Sequence, residues 1–218
     1  MIGDKLNVKQ FHVDAAQGVM ELITPQVKDS RGKFILTVAG ESGAGKSEIA
    51  FVLAEKLLAE GMKSIILQQD DYFMYPPKTN AAMRNKDLGH VGLSEVRLSL
   101  LDQNLKDILD GEMEIEKPLV VYEEDRITSE KLSTEGVRTV IVEGTYVTLL
   151  SNVHRRVFID RTHLDTGEAR RERAREKQDE YLAKILEIEH GIIAPHKARA
   201  DIIVTRDYKV RMGGEVGG

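Results

Sequence analysis

The 218-residue chain contains no cysteine. Disulfides, thiolate metal sites and cysteine nucleophiles are therefore excluded, and a reducing, cytoplasmic setting is compatible with that absence. No apolar run approaches the ~20 residues that a helix needs to span a bilayer. The leading residues, MIGDKLNVKQFHVDAAQ, lack the apolar centre of a signal peptide, so no membrane partner is expected. Excess positive charge is also missing. Charged residues make up 31% of the chain and its formal net charge is −5, which argues against an extended grip on nucleic acid. A local basic pocket for a small anion stays compatible with that balance. What the chain does have is 41% hydrophobic residues, enough to bury a sizeable core at this length. Composition leaves the oligomeric state open, and a homo-oligomer is possible.

Residues 11–25 place Val13, Met20, Leu22 and Ile23 at loosely helical spacing, which predicts a leading helix that ends before Pro25. Residues 34–39, FILTVA, read as a buried strand. A helix is expected over 46–60, with Ile49, Val52, Leu53 and Leu57 on one face and Gly61 as its stop. Residues 64–67 form a second strand. The segment 74–92 carries Pro, Asn and Gly with little periodicity and reads as a long functional loop. Another helix is expected over 93–110, closed by Gly111. Residues 119–122, 139–142, 156–159 and 202–204 are further candidate strands. Asp165 and Glu168 resemble a capping box opening a charged helix that runs to Gly191. Strands alternate with helices, so the class is α/β with a mainly parallel sheet. One domain is expected over 1–218, with the leading helix within 1–30, a lid at about 161–191 and a flexible tail at 212–218.

The strongest signal is GESGAGKS, from Gly40 through Gly45 to Lys46 and Ser47, a full match to G-x-x-x-x-G-K-[ST]. It sits between a predicted strand and a predicted helix, the context that this motif requires. Its glycines let successive backbone N–H groups of Gly40, Ser42, Gly43, Ala44 and Gly45 turn inward toward phosphate oxygens. The helix that follows presents its positive N-terminus to the same anion. Lys46 reaches the β and γ phosphates of ATP, and Ser47 offers a hydroxyl to Mg²⁺. Such a loop does not by itself separate kinases from switches and motors. A GTPase should carry Asn-Lys-x-Asp, and Asn85-Lys86-Asp87 has the wrong spacing.

Beyond the loop, LQQDDYF offers Asp70 and Asp71 just past the second strand, followed by Tyr72 and Phe73. TVIVEG ends an apolar strand in Glu143 and Gly144. FID, at Asp160, is followed by the arginine-rich ARRERARE, and ADIIV closes the pattern at 200–204. In these features the chain resembles the uridine kinase and phosphoribulokinase group of P-loop kinases. The resemblance implies the P-loop nucleoside triphosphate hydrolase fold, with a parallel five-stranded sheet flanked by helices and a helical lid. It also implies ATP and Mg²⁺ as cofactors and a small-molecule hydroxyl as acceptor, a nucleoside being the nearest case. Asp70 would orient and deprotonate that hydroxyl, and Glu143 would stand beside Mg²⁺ with Ser47. Tyr122, in VVYEED, would line the substrate.

The residues support this chemistry independently. A hydroxyl attacking a γ phosphate needs a carboxylate within hydrogen-bond reach. Asp70, Tyr122 and Glu143 fall at expected C-terminal strand ends, the rim where α/β sheets bind ligands. Asp71 reads as a solvated turn residue or one supporting its neighbours. Tyr72 is a candidate to stack on a substrate ring, although aromatics after a strand are as often core. Asp87, His90 and Glu95 are candidate ribose-binding groups, and Asp87 is taken as the substrate contact. Arg126 is placed at the substrate, with pairing to nearby acids as the alternative. Arg170 and Arg173 share one helix face and are assigned to phosphate as the catalytic lid arginines. Glu168, Glu172 and Glu176 interleave with them, which is also the pattern of a solvated helix. His90, His190 and His196 lack metal-ligand spacing, so no structural zinc site is expected.

The runner-up reading is a kinase of another alcohol, such as a sugar phosphate or a pantothenate-like compound. Lys78, Arg84 and Lys86 would favour a phosphorylated acceptor. A nucleotide-binding regulator without turnover is the alternative from a different class.

Overall fold

The computed structural model describes residues 6–173 and 179–214. α1 (Gln10–Asp29) precedes β1 (Phe34–Gly40), α2 (Lys46–Ala59) and β2 (Ser64–Gln68). A short 3-10 turn, Gln69–Tyr72, then leads to α3 (Pro77–Lys86) and α4 (Leu98–Asp110). β3 (Glu114–Val121) and β4 (Arg126–Ser133) form an antiparallel hairpin of their own. β5 (Thr139–Gly144), β6 (Arg155–Ile159), α5 (Gly167–Arg173), α6 (Glu180–Ile193), β7 (Ile202–Val204) and β8 (Val210–Met212) follow.

The main sheet runs β2-β5-β1-β6-β7-β8. Its first five strands are parallel and β8 adds an antiparallel edge, one strand more than the five expected. β1 is central and buried along its whole length. Its alternating side chains serve two cores. Leu36 and Val38 join Val19, Ile23, Ile49 and Leu53 under α1 and α2, while Ile35 and Ala39 join Leu101, Leu105 and Ile108 under α4.

Several boundaries depart from the sequence expectation. α1 continues through Pro25 to Asp29. Glu21, the residue whose carbonyl Pro25 leaves without a partner, is solvent-exposed, while the buried stripe continues through Ile23 and Val27. The expected loop 74–92 contains α3, a polar helix without an apolar stripe. Asp125 of the hairpin holds its first turn, accepting from the Lys78 and Thr79 N–H groups at 2.6 and 3.2 Å. α4 begins at Leu98 rather than 93, because 93–95 is a separate 3-10 turn that buries Glu95. The strand expected at 119–122 belongs to the hairpin and not to the parallel sheet.

The charged helix expected over 165–191 is divided into α5 and α6, with 174–178 outside the described residues. Asp165 does not cap it. Its carboxylate accepts the Thr162 N–H at 3.0 Å and pairs with Arg206. Asp179 caps α6 instead, accepting from the Leu182 N–H at 3.0 Å. Gly191 does not stop α6, which runs on to bury Ile193. At the start of the tail expected at 212–218, Met212 is in β8 and the Gly213 N–H donates to the Asp201 carbonyl at 2.7 Å. Residues 215–218 lie outside the described set.

Candidate active site

The loop between β1 and α2 is wound by left-handed glycines, among them Gly45 with φ +95°. A Cβ at Gly45 would also stand 2.7 Å from His12 Nε2, so both conformation and space require glycine there. The Ala44 N–H donates to the Glu41 carbonyl at 3.1 Å, and Lys46 Nζ folds back to the same carbonyl at 2.9 Å. Gly40, Ser42, Gly43, Ala44 and Gly45 thus form a compact turn that points α2 at it by its N-terminus, the arrangement that binds phosphates.

Ser47, in the first turn of α2, donates its hydroxyl to Glu143 Oε1 at 3.2 Å. Glu143 ends β5, is 5% exposed, and also accepts from Gln68 Nε2 at 3.3 Å. A hydroxyl and a carboxylate oxygen at this separation are hard donors that suit Mg²⁺. Gly144 follows for a steric reason, because a Cβ there would collide with the Gln69 side chain.

β2 and β5 pair with Gln68 opposite Glu143, so Asp70 stands two residues past that register at the same sheet end. It is half-buried. Its neighbour turns the other way. Asp71 is 1% exposed, pairs with Lys117 Nζ at 2.7 Å and accepts the Val120 N–H at 3.0 Å. The expectation of a solvated Asp71 is corrected: it anchors the hairpin to the sheet.

A Zeta toxin family model matches residues 20–115 of this chain. The uridine kinase of Ligilactobacillus salivarius is 32% identical over 184 residues, which covers 78% of this chain and 84% of that protein. The chain belongs to the uridine kinase family. Among solved structures, a possible uridine kinase from Bacillus stearothermophilus superposes with a TM-score of 0.62 at 17% identity, covering 87% of this chain and 97% of that one. Phosphoribulokinase from Rhodobacter sphaeroides superposes with a TM-score of 0.59 at 15% identity, covering 80% and 70%. This uridine kinase-family chain is therefore a small-molecule kinase with an alcohol group as acceptor, which removes the regulator without turnover. No described helix is long and apolar enough to cross a membrane.

Other expected site residues of this family member fall in different places. Arg170 lies against the phosphate loop: its Nη2 donates to the His163 carbonyl at 2.8 Å and its Nη1 to Thr166 Oγ1. Thr166 Oγ1 in turn donates to the Ser42 carbonyl at 2.8 Å. Arg173 ends α5, but its side chain lies outside the described set. Tyr72 is corrected: it is fully buried, with its hydroxyl donated to Asn104 Oδ1 at 2.9 Å, so it presents no face to a ligand. Burial and the adjacent Asp71 push its phenol well above its ordinary pKa. Tyr122 is half-buried in the hairpin turn rather than at a parallel strand end.

Arg126 is exposed and grips Glu124 at 2.8 and 3.0 Å, which favours the local pairing over a substrate contact. Asp87 is exposed too and takes the Gly89 N–H at 2.8 Å, capping a turn. Glu95, by contrast, is fully buried and receives Asn80 Nδ2 at 2.5 Å and Arg84 Nε at 2.6 Å. Arg84 also reaches Glu189 of α6 at 3.0 Å. Burial opposes its charge, yet Glu189 and Glu95 together hold the guanidinium above its ordinary pKa. Tyr146 is raised by burial and by the same two acids, so its buried hydroxyl stays protonated.

Sequence reading missed the aromatic wall behind the loop. Tyr208 donates to the Ala44 carbonyl at 3.2 Å and stacks on Phe11 with ring centroids 4.4 Å apart. The Arg161 guanidinium lies 4.7 Å over the Tyr208 ring. These residues come from both ends of the chain, and no local pattern links them.

Proposed function

We propose that this chain is an ATP- and Mg²⁺-dependent kinase that transfers the γ phosphate to a hydroxyl of a nucleoside. The observation that carries the reading is the Ser47–Glu143 oxygen pair, 3.2 Å apart under the phosphate loop, with Asp70 on the adjoining strand end. Lys46 and the loop amides hold the β and γ phosphates. Asp70 takes the proton of the acceptor hydroxyl as its oxygen attacks γ phosphorus, and the bond to the β–γ bridging oxygen breaks to release ADP. Ser47 and Glu143 would hold Mg²⁺, which would supply neutralisation of phosphate charge. Arg170, at the loop's flank, offsets charge on the transferring group, and Arg173 is proposed beside it. Tyr122 lines the acceptor side from the hairpin.

A phosphorylated acceptor is less well supported. Arg84 is taken up by Glu95 and Glu189, and Lys78 Nζ donates to the Glu123 carbonyl at 3.0 Å. The test is ADP release over nucleosides, sugars, sugar phosphates and pantothenate-like alcohols. Turnover with a nucleoside is expected. D70N should lower kcat by about 10²–10⁴-fold with ATP affinity intact. Full phosphoryl transfer by D70N would remove Asp70 from its role, and preferred turnover of a sugar phosphate would overturn the acceptor assignment.

A further inference from the structure

Among the described residues, one group of metal-ligating side chains converges at ligand distance: Glu41, His163 and His190, their donor atoms all within 4.8 Å of one another. Each belongs to a different part of the chain. Glu41 lies in the phosphate loop, His163 between β6 and α5, and His190 in the last turn of α6. Glu41 Oε1 is 2.6 Å from His190 Nδ1, and Glu41 Oε2 is 3.3 Å from His163 Nδ1. The two imidazole rings meet edge to face with centroids 5.3 Å apart.

We infer that Glu41, His163 and His190 form a zinc-class divalent metal site that clamps the base of the lid to the phosphate loop. Two observations beyond the clustering point to a cation. His163 Nδ1 is buried and has no hydrogen-bond partner, although it faces the Glu41 carboxylate. A buried ring nitrogen that faces a carboxylate oxygen at 3.3 Å without bonding to it is placed as a metal-ligand atom would be. The carboxylate is also 4% exposed and already accepts the His163 backbone N–H at 2.5 Å, so its orientation is fixed before any ion arrives.

Donor chemistry sets the class of ion. Two neutral imidazoles and one carboxylate select zinc and its neighbours over Mg²⁺, which prefers oxygen alone. Zinc–nitrogen and zinc–oxygen bonds of about 2.0–2.1 Å place tetrahedral ligands about 3.3 Å apart, which His163 and Glu41 already satisfy. His190 Nδ1 stands within hydrogen-bond distance of the other Glu41 oxygen. Metal binding at that nitrogen opens the pair by less than about 1 Å. Water completes the fourth position. The set shares no residue with Ser47 and Glu143, but it adjoins the proposed reaction, because Glu41 lies in the phosphate loop and the His163 carbonyl accepts from Arg170. Because the bound ion ties α6 and the lid base to the loop, it favours the arrangement in which all three are together.

The test uses the full chain, stripped with EDTA and free of nucleotide, titrated with ZnCl₂ and separately with CoCl₂. One equivalent should bind with a Kd of about micromolar or tighter. The Co²⁺ complex should show an intense tetrahedral visible spectrum that excess Mg²⁺ does not abolish. H163N and H190N should each weaken binding by about 100-fold or more, and E143Q should retain the equivalent. His190 is 38% exposed, so H190N carries the test if H163N does not fold. Absence of binding at millimolar zinc would overturn the site and leave only the Glu41–His190 hydrogen bond. Binding kept in H190N but lost in E143Q would assign the ion to the Ser47–Glu143 pair instead.

Discussion

Replacing Lys117 by methionine isolates the contact that holds the hairpin against the sheet. The Lys117 and Asp71 side chains are 4% and 2% exposed, and they pair at 2.7 Å. In K117M the Asp71 carboxylate keeps the Val120 N–H but loses its cation while staying out of water. An uncompensated buried charge costs about 3–5 kcal/mol. For a chain of this size that is about 6–20 °C in Tm. The reciprocal change should be milder. In D71N the ammonium retains Glu130 at 2.7 Å and the Pro118 carbonyl at 3.1 Å, and the new amide oxygen can still accept from Val120. About 1–2 kcal/mol is expected there. Joining the two changes removes the stranded charge, so D71N/K117M should be more stable than K117M alone. The assay is urea unfolding of the four proteins at pH 7, with equal m-values required. If K117M costs less than D71N, or the double change costs the sum of the singles, the buried-pair argument is refuted.

Three further outcomes follow from other sites. G45A puts a side chain at φ +95° and 2.7 Å from His12, so it should cost about 1–3 kcal/mol and weaken ATP binding, read by unfolding and by nucleotide titration. R84M should destabilise by about 3–5 kcal/mol by stranding Glu95, and R84M/E95Q should recover part of that loss in the same unfolding assay. His154 and His196 are both lowered from 6.5, mainly by burial. Folded protein then binds fewer protons than unfolded chain, so their contribution is full above about pH 6.5 and declines as pH falls through the folded values. Urea midpoints at pH 7.5 and 5.5 should show this fall, and H154Q should reduce it. A midpoint that rises on acidification, or an unaltered slope in H154Q, would count against that assignment.

Much of the catalytic end was legible because its information is local. GESGAGKS specifies turn conformation, helix start and hydroxyl position within eight residues, and TVIVEG and LQQDDYF mark strand ends through apolar runs that stop at acids. Steric and periodic rules act over such distances. The sequence also determined the α/β class, because two-sided burial of β1 and β5 shows as mainly apolar runs alternating with helical patterns. It did not distinguish Asp70 from Asp71 by chemistry, since both carboxylates look alike in the chain.

The family resemblance singled out Asp70, and the tertiary structure showed what Asp71 does. Lys117, 46 residues away, reaches Asp71 across the hairpin, and no local pattern encodes that meeting. The same limit explains Tyr72, whose burial depends on Asn104, and α3, a polar helix held by Asp125 rather than by its own periodicity. Glu41 met His163 and His190 across separations of 122 and 149 residues. Backbone propensities and local spacing decide which elements form and where their functional ends lie. Which polar side chains share a buried site is decided by the packing of distant elements, because low-dielectric interiors force those groups to find partners wherever the fold brings them.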